Sequence, residues 1–165
     1  MPSSAIRLVL FAALCGAPGA VLAAEGAPVR ATLLDNQQEE IGTATFTDGP
    51  NGVLIEVEVT GLTEGWHGIH LHAVGDCGDA AFKNAGAHVN MHDRAHGLMN
   101  PEGPDEGDLP SIYAGSDGTA HAQLFNWRVA LSDGASGRAD LMDADGTALV
   151  IHAQPDDQVT QPIGN

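Results

Sequence analysis

The chain has 165 residues and a formal net charge of −16, with 6 basic side chains against 22 acidic ones. Such a surface repels nucleic-acid phosphates and anionic membranes, so nucleic-acid binding is excluded. The length suits one domain with a sizeable core. The 21 glycines, 9 prolines and 4% aromatic residues favour short strands joined by turns over long helices.

The chain opens with Arg7, an apolar run over 8–22, and small residues at Val21-Leu22-Ala23. This predicts a secretory signal peptide over 1–23 and a mature domain over 24–165 that is exported and soluble. Gly16, Pro18 and Gly19 interrupt the run, which is short for a membrane span. No membrane association is expected after cleavage. Cys15 leaves with the leader, so Cys77 has no disulfide partner in the mature chain.

Residues 28–34, 41–46 and 53–59 read as strands separated by turns at Asp35-Asn36 and 48–52, an antiparallel meander at hairpin spacing. Glycine-containing residues 61–65 lead into a fourth strand over 65–72. Side chains alternate faces along a strand. His70 and His72 therefore share a face and can converge on one metal, while His67, Ile69 and Leu71 point to the core. The stretch 73–106 has no sustained period and carries His88, His92, His96 and several aspartates. A structureless segment of that length in a compact domain is usually functional, and metal ligation would order it. Strands are predicted over 108–114 and 120–125, a Gly/Asp-rich connection over 129–143, and a buried strand over 146–152 ending in His152.

The segments Gly65-Trp66-His67-Gly68-Ile69-His70-Leu71-His72, Gly75-Asp76-Cys77, Gly86-Ala87-His88-Val89-Asn90, His96-Gly97, Gly103-Pro104, Gly107-Asp108-Leu109-Pro110 and Ala148-Leu149-Val150-Ile151-His152 follow one another in order. Together they resemble a copper/zinc superoxide dismutase of the exported bacterial type, over residues 29–165. The resemblance implies an all-β Greek-key antiparallel barrel, an immunoglobulin-like sandwich in outline, with two long loops covering the metals. It implies copper held by His70, His72, His88 and His152, and zinc by His88, His96, Asp105 and Asp108. His88 would bridge the metals and serve catalysis as the proton carrier. Asp156 would link the two sites by hydrogen bonds, and His67 would be structural.

The implied function is dismutation of superoxide to oxygen and hydrogen peroxide in the periplasm, with a homodimer as one expected assembly. The alternative is a non-catalytic periplasmic copper-binding or storage protein of the same fold. Three features depart from the family pattern. Position 105 is Asp where most members have His. Cys77 matches one half of an intrasubunit disulfide whose other half is missing. The sequence stops at Asn165, before the family's final strand with its second cysteine and an arginine beside copper. The fold is accordingly expected without that strand. His121 reads as a surface residue, and His92 as a surface residue or spare ligand. Trp66 and Trp127 read as packing or interface residues.

Overall fold

The structure, a computed structural model, describes residues 26–132 and 137–161. The expected signal peptide and Cys15 lie outside the described residues. The described residues form ten strands: β1 (Val29–Leu34), β2 (Glu40–Gly49), β3 (Gly52–Val59), β4 (Gly65–His67), β5 (Ile69–His72), β6 (Ile112–Ala114), β7 (Ala120–Asn126), β8 (Val129–Ala130), β9 (Ala139–Asp140) and β10 (Ala148–Ile151). Lys83–Ala85 is a single 3₁₀ turn. The all-β reading holds, and among the described residues all strand pairings are antiparallel except the short β8–β9 pair.

The meander is real as far as β3. β2 and β3 form a hairpin closed at Gly49 and Gly52 around Pro50-Asn51, both strong turn formers. The next strand does not continue it. β7 takes the free edge of β3, with Val59 opposite Ala120 and Val53 opposite Asn126, and the sheet order is β1-β2-β3-β7.

The expected single strand over 65–72 is two strands. β4 pairs with β6, while β5 pairs with β10 in a register that sets His72 opposite Ala148 and His70 opposite Val150. The break falls at Gly68. Its N–H donates to the Gln154 carbonyl at 2.9 Å, and its carbonyl accepts from the His152 N–H at 2.8 Å. Those bonds tie the residues after β10 onto the histidine strands. The strand expected over 108–114 survives only as β6, with Asp108 making one antiparallel bridge to His70. The connection expected over 129–143 contains β8 and β9.

The core follows the period of two. In β3, Val53, Ile55, Val57 and Val59 are buried, whereas Glu58 is exposed. With Ala44, Phe46, Ile69, Leu71, Leu109, Ile112 and Leu124 they form one hydrophobic cluster. Fully burying each large side chain contributes about 1.5–3 kcal/mol. Ile69 and Leu71 anchor β5 in this cluster, and their alternation turns His70 and His72 to the opposite face.

Cys77 is a free, half-buried thiol. It lines a mostly apolar groove with Leu33 of β1 and Val150 of β10.

Candidate metal centre

The stretch without regular structure is folded onto β5 by backbone bonds. The Val89 N–H donates to Leu71 O at 2.9 Å, Leu71 N–H to Gly107 O at 2.9 Å, and Gly107 N–H to Val89 O at 2.8 Å. A Cβ at position 107 would sit 2.4 Å from Leu71 O and 3.1 Å from the His88 Cβ. Only glycine permits this approach, which lays His88 beside the His-x-His strand and brings Asp105 and Asp108 to the same place. Gly97 has φ +114, and a Cβ there would lie 2.1 Å from Gln158 O. That contact seats the segment after β10 against the His96 turn.

Five imidazole rings and two carboxylates converge as a result. The ring centroids of His70 and His88 are 4.3 Å apart, those of His70 and His152 4.8 Å, and those of His72 and His88 5.0 Å. Possible ligand atoms of His70, His72 and His152 lie within 4.8 Å of one another, as do those of His88, His96, Asp105 and Asp108. His70, His88, His96, Asp105 and Asp108 are all buried.

The hydrogen bonds select one nitrogen of each ring. His70 Nε2–H donates to Asp156 Oδ2 at 2.7 Å, leaving Nδ1 free. His72 Nδ1–H donates to Gly86 O at 2.8 Å, leaving Nε2. His88 Nδ1–H donates to Asp105 Oδ2 at 3.0 Å, again leaving Nε2. The four nitrogens left over, His70 Nδ1, His72 Nε2, His88 Nε2 and His152 Nε2, are buried and have no partner. Buried polar atoms are almost always satisfied. Four such lone pairs in one place are a donor set for a cation, and imidazole nitrogen suits copper.

The second group is carboxylate-rich. His96 Nδ1–H donates to Asp108 Oδ1 at 2.5 Å, and its Nε2–H donates to Asp156 Oδ1 at 3.1 Å. Asp108 Oδ2 accepts from the backbone N–H of Gly97 at 2.7 Å and of Asp105 at 3.0 Å, and Asp105 Oδ1 from that of Gly107 at 3.0 Å. Two imidazoles with two carboxylates form an acceptable zinc donor set.

Electrostatics keep these groups ready. Burial, then the neighbouring His88, pulls the His70 pKa down to about 3. Burial, then His72, pulls His88 and His152 down to about 4. All are neutral near pH 7, the form that ligates a metal. His96 is raised, because Asp108 and Asp156 outweigh its burial. Burial raises Asp105 to about 6 and also raises Asp108.

The remaining histidines separate. His67 is a wall residue: Nδ1 lies 2.7 Å from His152 O and Nε2 2.9 Å from Thr63 O. His121 is on the surface, 3.9 Å from Glu58. His92 stays out of both groups, and its Nδ1–H donates to Glu106 Oε1 at 2.8 Å. Glu106 was not legible in the sequence. It is 1% exposed, yet a glutamate in an acidic loop reads as solvated.

The copper/zinc superoxide dismutase family model matches residues 40–165. A copper/zinc superoxide dismutase of Caulobacter vibrioides is 51% identical over 127 residues, 76% of this chain and 72% of that protein. One of Aquifex aeolicus is 40% identical, covering 82% of this chain and 78% of its own. The crystal structure of a superoxide dismutase-like protein from Bacillus subtilis superposes with a TM-score of 0.77 at 30% identity, covering 86% of this chain and 93% of that one. With the sheet order, the docked loop and the four unpartnered nitrogens in place, these matches assign the chain to the copper/zinc superoxide dismutase family.

Proposed function

We propose that this chain dismutates superoxide, with copper held by His70, His72, His88 and His152 and zinc by His88, His96, Asp105 and Asp108. The observation that carries the reading is the set of four buried ring nitrogens without partners. Three of their rings are already fixed in orientation by Asp156, Gly86 and Asp105. Copper, when bound, supplies the alternation of oxidation state that lets one superoxide lose an electron and the next gain one.

The protein supplies position and protons. Asp156 and Gly86 hold His70 and His72 in a single tautomer, which raises the basicity of the nitrogen left free. His88 belongs to the carboxylate group through Nδ1, and its ring also stands 4.3 Å from that of His70 and 5.0 Å from that of His72, with Nε2 buried and unpartnered. It is the proton carrier of this reading: Nε2 takes a proton when it is not a ligand and gives it to the peroxide being formed. Two superoxide anions and two protons then leave as one oxygen and one hydrogen peroxide. His67 holds the His152 backbone and keeps that ring in the cluster. The reading also places the protein in the periplasm after removal of residues 1–23. A homodimer belongs to it, supported by the exposed edge-to-face pair of Trp66 and Tyr113 on β4 and β6.

The test is superoxide consumption by protein loaded with copper and zinc, with metal content measured on the same sample. Activity that rises with copper occupancy is expected. Full copper occupancy without superoxide consumption would replace this reading with the copper-storage alternative.

A further inference from the structure

Away from the histidine cluster lies a cleft of about 370 Å³, lined by His92, Arg94, Glu106, Trp127, Arg128 and Arg138 among others. The chain has only six basic side chains, and three of them face this one cleft. The arginines are held close enough to oppose one another: burial, then the charge of Arg94, pulls the Arg128 pKa below its ordinary value. The Arg128 guanidinium lies 4.1 Å from the centroid of the Trp127 ring. Its backbone N–H donates to Asn126 Oδ1 at 2.8 Å, and Asn126 Nδ2 donates to Glu106 O at 2.8 Å. Arg138 Nη1 donates to Gly49 O at 3.5 Å and to Val129 O at 3.4 Å.

Two polar atoms of the lining residues are buried and unmatched. Arg128 Nε is a donor without an acceptor. Glu106 Oε2 is an acceptor without a donor, although Oε1 accepts from His92 Nδ1–H at 2.8 Å. Glu106 is 1% exposed, so bulk water does not serve it. A buried donor and a buried acceptor left over at one cleft ask for a partner that carries both functions. A guanidinium fork matches the oxygens of an oxyanion. A carboxylate oxygen matches only an O–H or N–H.

We propose that this cleft binds a small protonated oxyanion, of the hydrogen phosphate or hydrogencarbonate type, whose oxygens accept from Arg94 and Arg128 and whose O–H donates to Glu106 Oε2. Among the described lining residues, Arg94 and Arg128 outweigh the one carboxylate, Glu106, and leave that part of the cleft positive within an acidic protein. That polarity draws the anion in, and the carboxylate then discriminates by protonation. An anion with no proton, such as sulfate, sets an oxygen against Glu106 and is rejected. The site needs neither metal.

The experiment titrates inorganic phosphate, hydrogencarbonate and sulfate into the full chain, with and without copper and zinc. It follows the NMR signals of the Arg128 Nε–H and the Trp127 indole N–H, with the Trp66 indole as the internal control. Saturable shifts at Arg128 and Trp127 are expected in both metal states, with sulfate at least about tenfold weaker, the cost of one unmatched hydrogen bond to a charged group. The tighter of phosphate and hydrogencarbonate identifies the ligand. Arg94→Gln, at an exposed position, should weaken binding about tenfold, and Arg128→Lys should retain part of it. Glu106→Gln should remove the preference over sulfate. Sulfate binding as tightly as phosphate, shifts confined to the histidines, unchanged binding by Arg94→Gln, or no saturation with water alone matching the two atoms would each overturn the proposal.

Discussion

His70 and His96 are tied together through one carboxylate. Asp156 Oδ2 accepts from His70 Nε2–H at 2.7 Å while Oδ1 accepts from His96 Nε2–H at 3.1 Å. Asp156 is itself fixed by the Gln158 backbone N–H at 2.8 Å. A single side chain after β10 therefore orients one ring of each metal group. Asp156→Ala should weaken both copper and zinc binding by roughly 10–100-fold, the usual effect of losing such a support. Chelator competition with both metals reads this directly. Loss confined to one metal would show that the two rings do not share their support.

The two groups should nevertheless separate at His152. It lies after β10, and its Nε2 belongs to the unpartnered set, whereas no zinc-group residue lies on that strand. His152→Ala should lose copper binding and superoxide consumption while zinc affinity largely survives. Equal loss of both metals, measured by elemental analysis after dialysis, would contradict the assignment.

Asp105 takes a place where most of the family has histidine, and it is buried 3.0 Å from His88 Nδ1. Asp105→Ala leaves three protein ligands in a group of four, so zinc affinity should fall markedly. Competition with a zinc-sensitive dye measures it. Unchanged affinity would place Asp105 outside the ligand set.

Gly107 sets the position of the loop. An alanine Cβ would meet Leu71 O at 2.4 Å, and that neighbour is backbone in the core strand. Gly107→Ala should cost about 1–3 kcal/mol of stability through the backbone shift it forces, and should reduce occupancy of both metals together. Urea unfolding and metal analysis on one sample test the coupling.

The metal-free protein should lose stability in mild acid. An ordinary histidine titrates at 6.5, and burial holds His70 at about 3 and His88 and His152 at about 4 in the folded state. Below pH 6.5 the unfolded chain takes up protons that the folded chain refuses, so stability falls as pH drops towards 4. Asp105 acts in the opposite sense. Raised by burial from 3.8 to about 6, it binds a proton in the folded state that the unfolded chain releases. The three depressed histidines cost about 2 kcal/mol each between pH 7 and pH 5 and Asp105 returns about 1 kcal/mol, so the net loss is on the order of 4 kcal/mol. Urea midpoints of the metal-free protein at the two values check it; equal midpoints would contradict it.

His70 and His72 were legible as half of a metal site because strand geometry has a period of two, a local rule that needs no partner. The core face of β3 was legible for the same reason, with Val53, Ile55, Val57 and Val59 buried in alternation. His88, His96, Asp105, Asp108 and His152 were named through the family's motifs. The structure brings them together by contacts far apart in sequence, such as Val89 to Leu71 and Gly107 to Leu71.

Composition, alternation and turn residues determined an all-β chain and marked the His-x-His strand, because each depends on neighbours a few residues away. Tertiary structure alone decided that the strand breaks at Gly68, that β7 rather than β4 joins β3, and that Glu106 is buried beside His92 while Asp105 turns to His88. It also decided which nitrogen of each histidine is free, since that depends on the acceptor facing the other nitrogen: Asp156, Gly86 or Asp105. Those outcomes rest on hydrogen bonds between distant segments, which no local pattern of the chain encodes.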